Sequence, residues 1–257
     1  MKRIYISMAL FILLGCSYEE KNEYISSREA AIVNISLQSI KPLEGTPTNK
    51  AVSSEVKQPE KIILDVPLIK QKPELKYGCE VTSLAMVLQY AGVHVNKMTL
   101  AKQIKKDVDP KVHNKRGDII SWGNPADGFV GDMTGKTSGY AVYDEPITEL
   151  MEKYLPERAI NLTGHSFDEL LKYVANKRPV VVWTTGDYRL PDRWESWKHG
   201  GQTIRTPLDL HAVVLVGFDK HFVYINDPLS GKKAHKVAKH QFIDSWIALR
   251  KRAVSYN

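Results

Sequence analysis

Three apolar runs in the second half of the chain constrain its fold most tightly. Val180-Val181-Val182-Trp183-Thr184-Thr185, Leu210 to Phe218 and Phe222 to Asn226 are rich in β-branched residues and of strand rather than helix length. Asp219 and Lys220 separate the last two, which predicts an antiparallel hairpin. Helical patterns come earlier. Val81, Leu84, Ala85, Leu88 and Ala91 recur at i, i+3, i+4, i+7 and predict a helix over 79–91, stopped by Gly92. Thr99 is placed to cap a second helix through Lys106, 146–155 reads as helical, and Ser166 with Glu169 has the spacing of a capping box opening a helix to Asn176. A last helix is expected over 239–249, and Ile62 to Pro67 reads as a short strand before a loop holding Gln71. Helices first and then a mostly antiparallel sheet make the expected class α+β. Residues 107–143 and 186–209 read as long loops, and loops of that length are commonly functional.

The beginning of the chain has a different character. Lys2 and Arg3 precede a mostly apolar run from Ile4 to Leu14, long enough for the core of a signal peptide and too short to span a bilayer comfortably. The run ends in Leu13-Leu14-Gly15-Cys16, which resembles the bacterial lipoprotein signal and implies cleavage after Gly15 and lipidation of Cys16. A doubly acylated terminus anchors a protein stably to a membrane without spanning it. The expected organisation is a signal peptide over 1–15, a lipidated and largely disordered tether over 16–60, and a folded domain over 61–257. The tether's Ser, Thr, Glu, Lys, Asn and Pro leave too little apolar surface to offset ordering entropy. The formal charge of +7 includes Lys2 and Arg3. The remaining excess suits anionic envelope polymers or lipid head groups, and an extracytoplasmic address argues against nucleic acid. A membrane lipoprotein facing away from the cytoplasm, otherwise monomeric, is the expected state.

With Cys16 assigned to lipid, Cys79 is the lone thiol of the two cysteines, in a setting where thiols oxidise. Its place at a helix start predicts a thiolate, because the positive helix end and its free N–H groups lower cysteine pKa values. Gly78 is expected to let the backbone turn into that helix. A base must come from the eight histidines. His94, His113, His165, His199, His221, His235 and His240 fall in loops, turns or basic stretches, whereas His211 opens an apolar strand. A three-residue turn centred on Asp219 would put His211 directly opposite Asp227, on the same face. A two-residue turn would put Ala212 there, and Asn226 is the other candidate to orient the ring. Gln71, in the loop before the helix, could join the Cys79 N–H as an oxyanion donor.

The segments Val66-Pro67-Leu68-Ile69-Lys70-Gln71 and Tyr77-Gly78-Cys79-Glu80-Val81-Thr82-Ser83-Leu84-Ala85-Met86 resemble the double-glycine leader peptidase family that trims bacteriocin precursors, and its stand-alone, non-transporter branch in particular. Gly128 to Asp132, Arg178 to Trp183 and Tyr224 to Leu229 fit as well, so the resemblance covers nearly all of 62–250. It implies a papain-like cysteine peptidase with Cys79 as nucleophile, His211 as base, Asp227 as orienter, Gln71 as oxyanion donor and no cofactor. The expected substrate is a peptide or protein, cleaved at an amide bond through a thioester. An acyl transferase of the same fold and a silent peptide- or envelope-binding lipoprotein are the alternatives. The exporter-fused relatives carry transporter domains that have no counterpart here, so leader cleavage does not carry over.

Other motifs are weaker. Gly131 to Thr137 has three residues between its glycines where a phosphate loop needs four. Cys79 and His211 lack the short ligand spacing of a zinc site, and no metal is expected. Trp194 and Trp197 are candidates to line a substrate groove.

Overall fold

The computed structural model describes residues 59–257. The residues expected to form a signal peptide, Cys16 and nearly all of the expected tether lie outside the described residues. Among the described residues no helix is long and apolar enough to cross a membrane.

The chain runs β1 (Ile62–Ile63), α1 (Cys79–Tyr90), α2 (Lys97–Gln103), β2 (Lys106–Asp107), β3 (Val112–His113), β4 (Ile119–Ser121), β5 (Phe129–Val130), α3 (Asp144–Glu152), β6 (Ala159–Asn161) and α4 (Phe167–Ala175). It continues with β7 (Val180–Thr185), β8 (Trp194–His199), β9 (Gln202–Pro207), β10 (Leu210–Phe218), β11 (Phe222–Asp227), β12 (Lys232–Ala238), α5 (Lys239–Ala248) and β13 (Ala253–Tyr256). One sheet, ordered β12-β11-β10-β7-β13-β6 with β1 also on β10, forms the frame, and every pairing in it is antiparallel. A smaller sheet, β3-β4-β8-β9, is built from the segments that read as loops. This is the α+β class expected.

All six residues of β7 are buried, and so are eight of nine in β10, which requires cover on both faces. The apolar runs reflect that. Helix α1 packs on β10 and β7, and α5 packs on β7, β11 and β12. Phe167 of α4 meets Phe242 and Trp246 of α5 edge-on, at 6.1 and 5.2 Å between ring centres. Burial of so many large apolar side chains supplies most of the stabilisation, at roughly 1.5–3 kcal/mol each.

Ten consecutive residues of α1, Cys79 to Leu88, are buried. The single apolar stripe expected from the periodicity is therefore a central helix enclosed all round. Its polar residues are satisfied locally: the Thr82 hydroxyl donates to the Gly78 carbonyl (2.7 Å) and the Ser83 hydroxyl to that of Ala212 (3.2 Å). Gly78 has φ −113°, open to any residue. What excludes a side chain there is Leu75, 2.7 Å from where a Cβ would sit.

Several boundaries differ from expectation. Asn96, not Thr99, caps α2, its side chain accepting from the Thr99 N–H at 2.9 Å, and Lys106 belongs to β2. Ser166 caps α4 as expected, accepting from the Glu169 N–H at 3.2 Å. The 186–209 loop contains the β8–β9 hairpin, turned by Gly200 and Gly201 at φ +50° and +83°. Strands β12 and β13 come from stretches that read as a basic surface and a terminus.

Candidate active site

The site forms where the start of α1 meets the start of β10. Phe218 pairs with Val223 across the β10–β11 turn, and a bulge at Val216 brings Val214 opposite Asn226. Continued, that register sets Val213, not His211, across from Asp227. The predicted direct opposition is thus wrong by two residues, because the turn is longer than three residues and a bulge follows it. A shift of two keeps side chains on the same face, and long diagonal neighbours still meet. His211 Nε2 lies 2.7 Å from Asp227 Oδ1, with both side chains buried. Asn226 is engaged elsewhere, donating to the Val66 carbonyl (3.0 Å) and accepting from the Ala234 N–H (2.9 Å).

Asp227 is held from every side. The Leu229 N–H donates to Oδ1 (2.8 Å), while the Tyr188 and Ser230 hydroxyls donate to Oδ2. Burial favours the neutral acid, but the His211 bond and charge, with the two hydroxyls, outweigh it and hold the carboxyl well below the usual carboxylate range. An ionised Asp227 fixes the ring so that Nδ1 is left for a second partner. Tyr188 reaches this position from a left-handed backbone at φ +63°, a conformation a tyrosine rarely adopts. Neither Tyr188 nor Ser230 stands out in the sequence, since each is one polar residue in a loop.

Cys79 is the first residue of α1 and the free cysteine among the described residues. Its sulfur lies near enough to the main chain of Ala212, the β10 residue after His211, for that group to favour the charged form. The expected thiolate is not what the resting site favours. Burial, then the neighbouring Glu80 carboxylate, push the thiol well above its ordinary value, and these outweigh the main-chain groups of Ala212 and Cys79 that act the other way. The S–H points to Glu80 Oε2 at 3.3 Å. Glu80 itself is fully buried and lifted by that burial to about 7. No pattern in the sequence singles it out, because a glutamate in a first helical turn has the look of an exposed dipole partner.

Gln71 is buried, with its main chain donating to the carbonyl of Pro228, the residue after Asp227 (2.9 Å). Its side-chain amide gives one hydrogen to the Lys76 carbonyl (3.0 Å), leaving its second N–H, and Oε1 is buried without a partner. A cavity of about 260 Å³ opens beside the site, lined by Tyr77, Gly139, Tyr140, Trp197, Leu208 and Leu210 among others. Trp197 thus borders it, tilted against Trp122 and edge-on to Tyr140, whereas Trp194 lines a separate cavity with Arg205 and Arg252.

The sequence profile of the Peptidase_C39 like family matches residues 63–254. The chain belongs to this family. It is 38% identical over 193 residues to the uncharacterised protein YvpB of Bacillus subtilis (strain 168), covering 74% of each chain. It is also similar to a crystal structure of a Bacillus anthracis protein provisionally named a C39-like peptidase, at 44% identity and a TM-score of 0.71, over 77% of this chain and 98% of that one.

The remaining sequence candidates lie apart from the site. The Gly131–Thr137 segment is a tight turn in which the Asp132 carboxylate takes the N–H groups of Thr134 and Thr137, both at 2.9 Å, so those donors do not face a phosphate. Among the described residues Asp107, Asp127 and His199 offer ligand atoms within 4.8 Å of one another. The His199 ring faces the Trp122 carbonyl at 3.2 Å and the two carboxylates at 3.6 and 3.5 Å.

Proposed function

We propose that this C39-like family member is a cysteine peptidase of the stand-alone branch that hydrolyses an amide bond of a peptide substrate through a thioester on Cys79. The observation that carries the reading is the buried His211–Asp227 pair at 2.7 Å, held on the strand that α1 and its first residue, Cys79, pack against. His211 Nδ1 takes the thiol proton as the sulfur attacks the substrate carbonyl. The carbonyl electrons move to oxygen, where the Cys79 N–H, one of the orphan donors of a helix start, and the second amide hydrogen of Gln71 receive the charge. His211 then protonates the leaving amine, which departs as the C–N bond breaks. Water attacks the thioester, gives its proton to His211, and Cys79 recovers its own. Asp227 keeps the ring oriented and stabilises the imidazolium formed twice in the cycle.

The N-terminal lipoprotein signal adds the location. We read the protein as anchored through lipid on Cys16, with residues 16–60 as a tether that holds the 61–257 domain outside the cytoplasm. The test of activity is digestion of a mixed peptide library, with and without a primary amine, followed by mass. Free carboxyl products that disappear in Cys79→Ala support the peptidase. Amine adducts identify an acyl transferase. No product from a folded wild-type protein would overturn the reading in favour of a binding role.

A further inference from the structure

Glu80 is fully buried, yet among the described residues no lysine, arginine or histidine forms an ion pair with it. Carboxylates are seldom buried without a partner, and attraction to a helix N-terminus is smaller than the cost of enclosing an unpaired charge. Its two oxygens have separate engagements. Oε1 accepts the Val142 N–H at 3.0 Å, which fixes the side chain from the segment opposite α1. Oε2 accepts the Cys79 S–H at 3.3 Å. The other titratable group that feels Glu80 is the Tyr140 phenol, which its charge helps keep protonated; Tyr143 and Arg252 act on Tyr140 in turn. Arg252 is committed to Asp144 at 3.0 Å and does not neutralise Glu80.

Resting on the reading of Cys79 as nucleophile, we propose that Glu80 is a positioning residue that sets the protonation state of that thiol. As a carboxylate it takes the S–H hydrogen bond and repels a negative sulfur, which holds Cys79 at rest. As a carboxylic acid it reverses the bond and donates O–H to the thiolate. Activation therefore takes one proton from solvent onto Glu80 Oε2, while the thiol proton passes to His211 Nδ1. The site gains one positive charge and no bond other than those to hydrogen changes. This bond reversal requires no backbone movement, because Oε1 keeps the Val142 N–H in both states.

The experiment is the rate of Cys79 alkylation by iodoacetamide against pH, in the wild-type protein, in Glu80→Gln and in His211→Ala. Glutamine keeps the Oε1 acceptor for Val142 and offers a permanent N–H to the sulfur. The wild-type profile should bend near 7, where burial places Glu80. Glu80→Gln should lose that bend and react roughly tenfold faster at pH 8, the change expected for one pKa unit. Superimposable wild-type and Glu80→Gln profiles would overturn the proposal. If Glu80→Gln does not fold, a wild-type profile with a single thiol titration and no bend near 7 overturns it. The His211→Ala arm keeps the two readings apart: a change there without one in Glu80→Gln sinks Glu80 alone, and a change in Glu80→Gln without one there sinks the Cys79–His211 pairing.

Discussion

Glu80→Gln should raise the protein's stability at alkaline pH and do little at acid pH. Burial lifts the Glu80 carboxyl from an ordinary 4.5 to about 7. The folded protein therefore holds a proton that the unfolded chain has already lost between those values. Wild-type stability falls as pH rises from 4.5 to about 7, and the loss is complete above that window. At about 1.36 kcal/mol per pKa unit, the gap is worth up to about 3 kcal/mol. Glutamine has nearly the same shape, keeps the Val142 bond and carries no charge, so it escapes this loss. For a domain of this size each kcal/mol moves the melting temperature by about 2–4 °C. Thermal denaturation followed by circular dichroism should show the variant melting on the order of 5–10 °C above wild type at pH 8, with the difference closing by pH 4.5. A difference that does not depend on pH, or a variant less stable at pH 8, would refute the claim that an unpaired carboxylate is buried beside the thiol.

Other outcomes follow from the same geometry. Asp227→Asn should lower kcat by about 10²–10⁴ with little change in KM, because an amide no longer fixes the His211 tautomer or balances the imidazolium; steady-state kinetics on a peptide product check this. In the wild type, the held-down Asp227 carboxyl contributes stability above its ordinary value of 3.8 that is lost as pH falls further, so acid melts of Asp227→Asn should show a flatter slope in that range. Tyr188→Phe removes one charge-assisted bond to Asp227 and should cost about 1.5–3 kcal/mol in chemical denaturation, with a reduced kcat. Trp183→Ala leaves a void between β7 and the helices and strands an acceptor, the Val142 carbonyl; a loss of about 3–5 kcal/mol is expected in the same assay.

The parts of the fold legible in the sequence were those whose pattern is set by local periodicity or by a local cap. Helix α4, with Ser166 and Glu169, and the apolar strands β7, β10 and β11 are of that kind. Other strands were not. Strand β12 is a lysine-rich edge strand with little buried surface to mark it, and Ala253 to Tyr256 of β13 is buried only because the sequence-distant β7 and β6 flank it. The β8–β9 hairpin did leave a signal in Gly200-Gly201 between alternating residues, a pair suited to a two-residue turn. At the site, the residue types and their order pointed to Cys79, His211 and Asp227. The exact pairing did not, since a bulge at Val216 leaves no mark in an all-apolar strand. The protonation of Cys79 is not legible in the sequence for a related reason. A helix start argues for a thiolate, while enclosure of α1 and the presence of Glu80 argue against it, and only packing shows which is stronger.

The measurement closest to the central claim is capture of the covalent intermediate. Protein mixed with the peptide library and quenched in acid, then analysed by intact mass and peptide mapping, should carry an acyl group on Cys79 as a hydroxylamine-labile thioester. His211→Ala should leave that population far smaller at early times. Turnover that persists in Cys79→Ala, or an acyl group mapped to another residue, would contradict the assignment of Cys79 as the nucleophile.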